Sequence, residues 1–404
     1  MPDDPRSQPG RGLTRRHLLL GGAAAAGAGA AGAVGLGLAA ELAGRPQPAP
    51  DPAPAIVPFY GEHQAGIDTP PQAHAVFLAL DLRPQTDAIA LGRLMRVLTD
   101  DAARLSQGRP ALADTEPELA RIPRRLTVTF GFGAELVARA GGAAPDWLGP
   151  LPAFAVDRLQ EAFSGGDLLL QLAADDPVTV AHATRMLLKD ARGFASVRWS
   201  QRGFRRAADS EATGTTMRNL FGQVDGTANP QPGTAEFEET VWSSGAPDWL
   251  RGGTGLVLRR IAMDLEGWDR VDRTAREASI GRRMDTGAPL TGTLERDAPD
   301  LEATTALGFP VIPAYAHLRR AKGPERIYRR GYNYDEPVGG AEGISDSGLL
   351  FASFQADITR QFVPIQRRLD ELDLLNTWTT PVGSAVFAIP PGCAEGGYIG
   401  ETLL

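Results

Sequence analysis

Two stretches of the chain share one grammar, and that repetition constrains the fold more than any other feature. GDLLLQLAADDPVTVAHATRMLLKDA (166–191) reads as a strand, an acidic turn and an amphipathic helix. SGLLFASFQADITRQFVPIQRRLDEL (347–372) reads the same way. In the first, Asp-Asp-Pro suits a helix start, with Asp as the cap and Pro in the first turn. Setting DLLLQLAADD beside GLLFASFQAD matches the pattern position by position, as an internal duplication would. Two such units predict an α+β fold of two similar halves, each an antiparallel sheet with helices packed on one face. HAVFLALDL (74–82) and RLTVTFGFG (125–133) supply further strands, and 86–105 a helix. A long segment, about 205–345, separates the two units and reads as an insertion carrying the unusual residues.

Ahead of the folded region, TRRHLLLGG places Arg15 and Arg16 before a run without charge from Leu18 to Ala40. This is the pattern of a twin-arginine signal segment over 1–43. It predicts export through the twin-arginine machinery to a periplasmic, extracellular or cell-surface location. The route carries folded proteins, which suits a cofactor inserted before export. Residues 44–58 are Pro-rich and read as a linker. The folded region then spans 59–404, with halves at about 59–205 and 206–404.

Composition narrows the chemistry. With 43% hydrophobic and 22% charged residues and a net charge of −8, the chain is globular and lacks a nucleic-acid footprint. The single cysteine, Cys393, excludes an intrachain disulfide and any site built on several thiolates. There are five histidines. His17 lies in the signal segment, His74 opens a strand and His182 sits in an amphipathic helix. His63 and His317 remain in loop-like settings, and one axial imidazole is enough to hold a haem. In FGQVDGTANP (221–230), Asp225 stands between glycines in a run without other charge. It is either the shaper of a turn or a carboxylate kept for proton transfer. The arginine pair in RIYRRGYNYD is either a solvated turn or a stabiliser of oxygen charge.

Taken in order, GEHQAGI, GQVDGTANP, IGRRMDTGAPLTG, HLRRAKG, RIYRRGYNYD, GLLF and TPVGSAVFAIPPG resemble the motif series of the dye-decolorizing peroxidases, across roughly 59–400. The leader is similar to that of the exported subgroup with the deferrochelatase-type members. The resemblance implies duplicated ferredoxin-like halves and a b-type haem. It implies Asp225 as the distal acid–base residue, with Gly226 and Thr227 beside the cofactor. His317 becomes the proximal iron ligand, Arg282 the partner of a haem propionate and Arg329 the distal arginine. The segment from His317 to Arg329 is shorter than the family pattern, so Arg330 is the alternative. The implied partners are hydrogen peroxide, an organic reductant such as a dye or phenol and, as an open option, a second copy of the chain. The alternative activity is iron release from haem.

The chemistry needs these residues. Cleaving peroxide heterolytically requires a proton moved from one oxygen to the other, which a carboxylate can take and return. Glycines on both sides allow close backbone approach. A free Asp has a pKa near 3.9, so activity is expected to be best in acid. The ring nitrogen of His317 not used for iron should donate to a carboxylate, with Asp357 and Asp370 as candidates. Tyr328, Tyr332, Tyr334, Trp378 and Tyr398 are available to carry electrons from bulky reductants.

Overall fold

The computed structural model describes residues 55–212, 214–245, 247–337 and 346–404. The arginine-led leader and the Pro-rich segment up to residue 54 lie outside them. The first half runs β1 (His74–Leu82), α1 (Ala88–Ser106), β2 (Thr127–Phe132), β3 (Leu168–Ala174), α2 (Pro177–Ala191) and β4 (Ala195–Phe204). β1 lies between β3 and β4, and β2 flanks β3, all antiparallel. This is the βαββαβ order of a ferredoxin-like unit.

The second half repeats it. β5 (Thr254–Met263) is followed by α3 (Arg273–Ile280) and α4 (His317–Ala321), then β6 (Tyr328–Arg329) and β7 (Tyr332–Glu336). β8 (Asp346–Gln355), α5 (Phe362–Leu372) and β9 (Thr379–Ile389) complete it. β5 lies between β8 and β9, and β6 and β7 share the other edge of β8. The two matched stretches of sequence are therefore β3–α2 and β8–α5, equivalent parts of the two units. The α2 start is as expected. Asp176 accepts from Thr179 N at 2.9 Å and Pro177 opens the helix, a cap worth about 1 kcal/mol.

The segment 205–345 is not a single insertion, because β5, β6 and β7 lie within it. β5 escapes a simple reading since its middle is Arg259-Arg260. Arg260 turns against Tyr334, 3.7 Å from the ring centroid, and pairs with Asp346 at 2.9 Å.

At each seam the halves meet through one residue pair, Phe132 with Ala388 and Phe204 with Asn333. With β5 also paired to β8, the nine strands close into a barrel. Its interior is packed by side chains such as Phe77, Leu169, Leu258, Tyr332, Phe354 and Phe387. Strand side chains alternate between faces, so the neighbours of these residues point outward. On the first half the outer face is sealed by α1 and α2, with Leu94, Leu98 and Leu187 over Val76, Leu78 and Leu170. On the second half α5 covers only part of the outer face, around Val257. No helix among the described residues is long and apolar enough to cross a membrane.

The interface of α1 with α2 buries two carboxyls against each other, Asp101 and Asp190. Asp101 Oδ1 accepts from Leu112 N at 2.8 Å, while Asp190 Oδ2 has no partner among the described residues. Burial first, then the neighbouring Asp101, raise the Asp190 pKa from 3.8 to about 7. A carboxyl whose folded pKa is raised favours the folded state while protonated. That contribution is complete below about pH 4 and is lost as pH rises through about 7. Asp190→Asn, whose amide can donate to Asp101, is expected to flatten the fall in thermal stability between these limits. Thermal unfolding of wild type and variant at pH 5 and pH 8 checks it.

Candidate active site

Where α5 leaves the outer face open, a cavity of about 510 Å³ forms against β5 and β8. Its apolar wall includes Phe221, Ile261, Met263, Ile280, Leu349 and Phe351. Asp225, Gly226, Thr227, Arg282, His317 and Arg329 all line it, so the structure gathers these six sequence-selected residues in one place.

Asp225 sits in the loop 219–230. A bridge between Arg218 and Val224 pins the loop, and Asp225 N donates to Met217 O at 2.8 Å. Gly226 has φ +129°, a conformation open to glycine and strained for other residues. The Asp225 carboxylate accepts from Arg329 Nη1 at 2.8 Å and from Asn219 Nδ2 at 3.4 Å. Arg329 is the last residue of β6. Its backbone is clamped by Asn229, which accepts from Arg329 N at 3.1 Å and donates to Arg329 O at 2.6 Å. Asn229 was not singled out from sequence, although it lies in the same DGTANP motif. Thr227 Oγ1 donates to Glu295 Oε1 at 2.8 Å. Glu295 in turn gives its carbonyl to Arg282 Nη1 at 2.9 Å. Burial lowers the Arg282 pKa, with the Glu295 carboxylate opposing.

Arg330 does not share the cavity. Tyr328 and Tyr332 point into the barrel, and Arg330 is fully buried beside them rather than outside with Arg329. It donates to the carbonyl of Thr69, to Ile67 O at 3.4 Å and to Gln72 Oε1 at 2.6 Å. It ties the second half to the chain entering β1, and its expected place beside the cofactor is corrected accordingly.

His317 opens α4. Its Nδ1 donates to Asp373 Oδ2 at 2.5 Å, which in the neutral ring fixes the tautomer that carries its lone pair on Nε2. Burial opposes charge on this ring, but the Asp373 carboxylate outweighs it and raises the His317 pKa. Asp373 is buried, and its other oxygen accepts from Leu375 N at 3.0 Å. The carboxylate is thus neither Asp357 nor Asp370. Asp357 accepts from Arg360 N, and Asp370 holds the backbone N–H groups of Ala155 and Val156 at 2.9 Å each. His63 is elsewhere, stacked on Trp242 at 3.7 Å, and His182 is bonded to Asp114.

Of the aromatic residues, Tyr328, Tyr332 and Tyr334 are buried in the barrel and Tyr398 in the core of the first half. Trp378 is half-buried and packs edge-on to Trp268 at 5.1 Å, and Trp268 lies 4.6 Å from Phe221 of the cavity wall. Trp268 carried no sequence signal beyond its type.

The cavity fits a haem. It offers an apolar wall and one imidazole whose outer nitrogen is backed by a carboxylate. Two buried donors in its lining, Gln223 Nε2 and Arg259 Nη1, have no partner among the described residues. Unmet donors suit a group that brings its own carboxylates.

Fold and site together define a haem peroxidase built on duplicated ferredoxin-like halves. Residues 64–205 match the family description "Dyp-type peroxidase, N-terminal" and residues 216–394 match "Dyp-type peroxidase, C-terminal". The chain belongs to the Dyp-type peroxidase family. It is 40% identical over 361 residues to a dye-decolorizing peroxidase of Thermobifida fusca (strain YX), covering 84% of this chain and 83% of the relative. It is 35% identical over 371 residues to a deferrochelatase of Escherichia coli O6:K15:H31 (strain 536 / UPEC), covering 86% and 87%. The crystal structure of a DyP-type peroxidase from Cellulomonas bogoriensis superposes with a TM-score of 0.84 at 55% identity, covering 87% of this chain and 98% of that one.

Arg330→Leu is expected to lower unfolding stability by about 1–3 kcal/mol, since buried acceptors lose their donor. Arg329→Leu, which breaks a partly exposed pair, should cost under about 1 kcal/mol. Chemical denaturation of the two variants checks the contrast.

Proposed function

We propose that this chain uses hydrogen peroxide to oxidise organic reductants, phenols and dyes among them, with Asp225 as acid–base group, Arg329 as charge stabiliser and His317 as iron ligand. One observation carries the reading. A carboxylate–arginine pair and a carboxylate-backed imidazole line the same cavity, and only the former also borders a second cleft, of about 1220 Å³, next to it. Haem, when bound, supplies the redox-active iron that takes up the oxidising equivalents of the peroxide. Asp225 accepts a proton from one peroxide oxygen and delivers it to the other, so that water departs rather than hydroxide. Arg329, its backbone held by Asn229, presents a fixed positive charge to the departing oxygen. His317 keeps Nε2 available for the metal because Nδ1 is committed to Asp373. Arg282 would hold a carboxylate of the cofactor with the part of its guanidinium not used on backbone carbonyls.

Iron release from haem is the second reading, favoured by the relatives named deferrochelatase. Peroxide-dependent turnover of a dye, measured beside the appearance of metal-free porphyrin, separates the two. Export by the twin-arginine route is part of the proposal, supported by Arg15 and Arg16 ahead of the uncharged run.

Asp225→Asn and Arg329→Leu are each expected to keep the haem absorption band while slowing the reaction with peroxide by about 10²- to 10⁴-fold in stopped-flow mixing. His317→Ala should weaken haem binding itself. A wild-type rate in Asp225→Asn would overturn the acid–base assignment. Replacing Arg15 and Arg16 together by Lys is expected to hold the protein in the cytoplasm, read by cell fractionation. Unchanged export would refute the route.

A further inference from the structure

Of the described residues that line the haem cavity, Val156 alone comes from the first half. It sits on a strap, residues 151–165, that leaves the first half between β2 and β3 and lies on the second. Val156 is half-buried, while Ala155, Arg158 and Leu159 beside it are exposed. One layer of chain therefore separates the cavity from solvent at this point.

Apolar packing does little to hold the strap, since Phe154 is the only buried side chain among residues 151–165. Polar contacts to the second half hold it instead, and they bracket Val156. Asp370 of α5 spends both carboxylate oxygens on the strap, accepting from Ala155 N and Val156 N at 2.9 Å each. Arg259 of β5 donates through Nη2 to the Asp157 carboxylate, and its guanidinium lies 5.7 Å from the Phe154 ring centroid. Arg158 N and Gln160 N donate to Pro381 O and Val382 O of β9 at 2.9 and 2.8 Å. The elements that grip the strap also wall the cavity, through Ile365 and Leu369 of α5, Ile261 of β5 and Pro381 of β9.

We propose that this strap is the latch that retains the haem, with Val156 as part of the cofactor site and Asp370 as the residue that keeps the latch closed. Asp370 does not line the cavity, so it is a positioning residue that acts through the backbone of Val156. A segment with few buried apolar contacts opens locally at lower cost than the core it covers. A cofactor resting against Val156 gains that contact only when the strap is closed. Closure and haem binding therefore favour each other by the same factor. The first half, whose own outer face is sealed, in this way sets how long the second half keeps its cofactor. The inference rests on haem occupying the cavity, and it requires no turnover.

Asp370→Ala removes both acceptors and leaves a good helix former in α5. Haem transfer from the holoprotein to excess apomyoglobin, followed by the haem absorption band, reads the latch without peroxide. Asp370→Ala is expected to lose haem about tenfold or more faster than the wild type, because two charge-assisted hydrogen bonds are gone. Val156→Gly leaves the acceptors in place and should lose haem about threefold or more faster through the missing apolar contact. Trypsin supplies the reciprocal test at Arg158, the one basic residue of the strap. Cleavage there should be about tenfold or more slower in wild-type holoprotein than in apoprotein, with little change at the exposed Arg185 of α2. Equal rates of haem loss in the wild type and both variants would overturn the inference. So would Arg158 cleavage that ignores haem, or protection that extends equally to Arg185, the mark of a general stabilisation. Since no step involves peroxide, the outcome is independent of whether the peroxidase reading holds.

Discussion

The closing of two antiparallel sheets into one barrel decides which side chains are free to do chemistry. A strand sends successive side chains to opposite faces. Once Leu350, Ala352 and Phe354 of β8 fill the barrel, Leu349 and Phe351 must face outward, and there they line the haem cavity. The same holds for β5, where Leu256 and Leu258 go inward and Ile261 and Met263 outward. The apolar wall of the site is thus the outer face of the barrel, and its stiffness is that of a packed core.

The duplication explains why only one half carries the site. In the first half, α1 and α2 lie flat on the sheet and seal it. In the second, the place of α1 is taken by the divergent segment between β5 and β6, which brings Arg282 and His317 to the cavity. The repeated parts supply the frame, and the chemistry lies where the repeat breaks.

That division also sets what could be read from sequence. β1, β3, α1 and α2 were legible because long apolar runs and Asp caps are local signals. Barrel closure was not, since each seam rests on a single residue pair. Asp225 and His317 stood in recognisable motifs, whereas Asp373 did not. It is one of several carboxylates near α5, and tertiary contacts alone show that Asp370 is already committed to the loop at Ala155 and Val156. The choice between Arg329 and Arg330 was hidden for a related reason. β6 is two residues long, too short for alternation to show in sequence.

The Asp225–Arg329 pair is the partition between the two cavities, and its burial suits that position. Both side chains keep limited exposure, 20% and 25%, so the pair is neither sealed in an apolar core nor fully screened by water. A fully buried pair would pay heavily in desolvation, and a fully exposed one would lose its orientation. The double clamp from Asn229 makes the arginine position a property of the backbone rather than of a flexible side chain. A lysine there would keep the charge but lose the planar geometry that aims it.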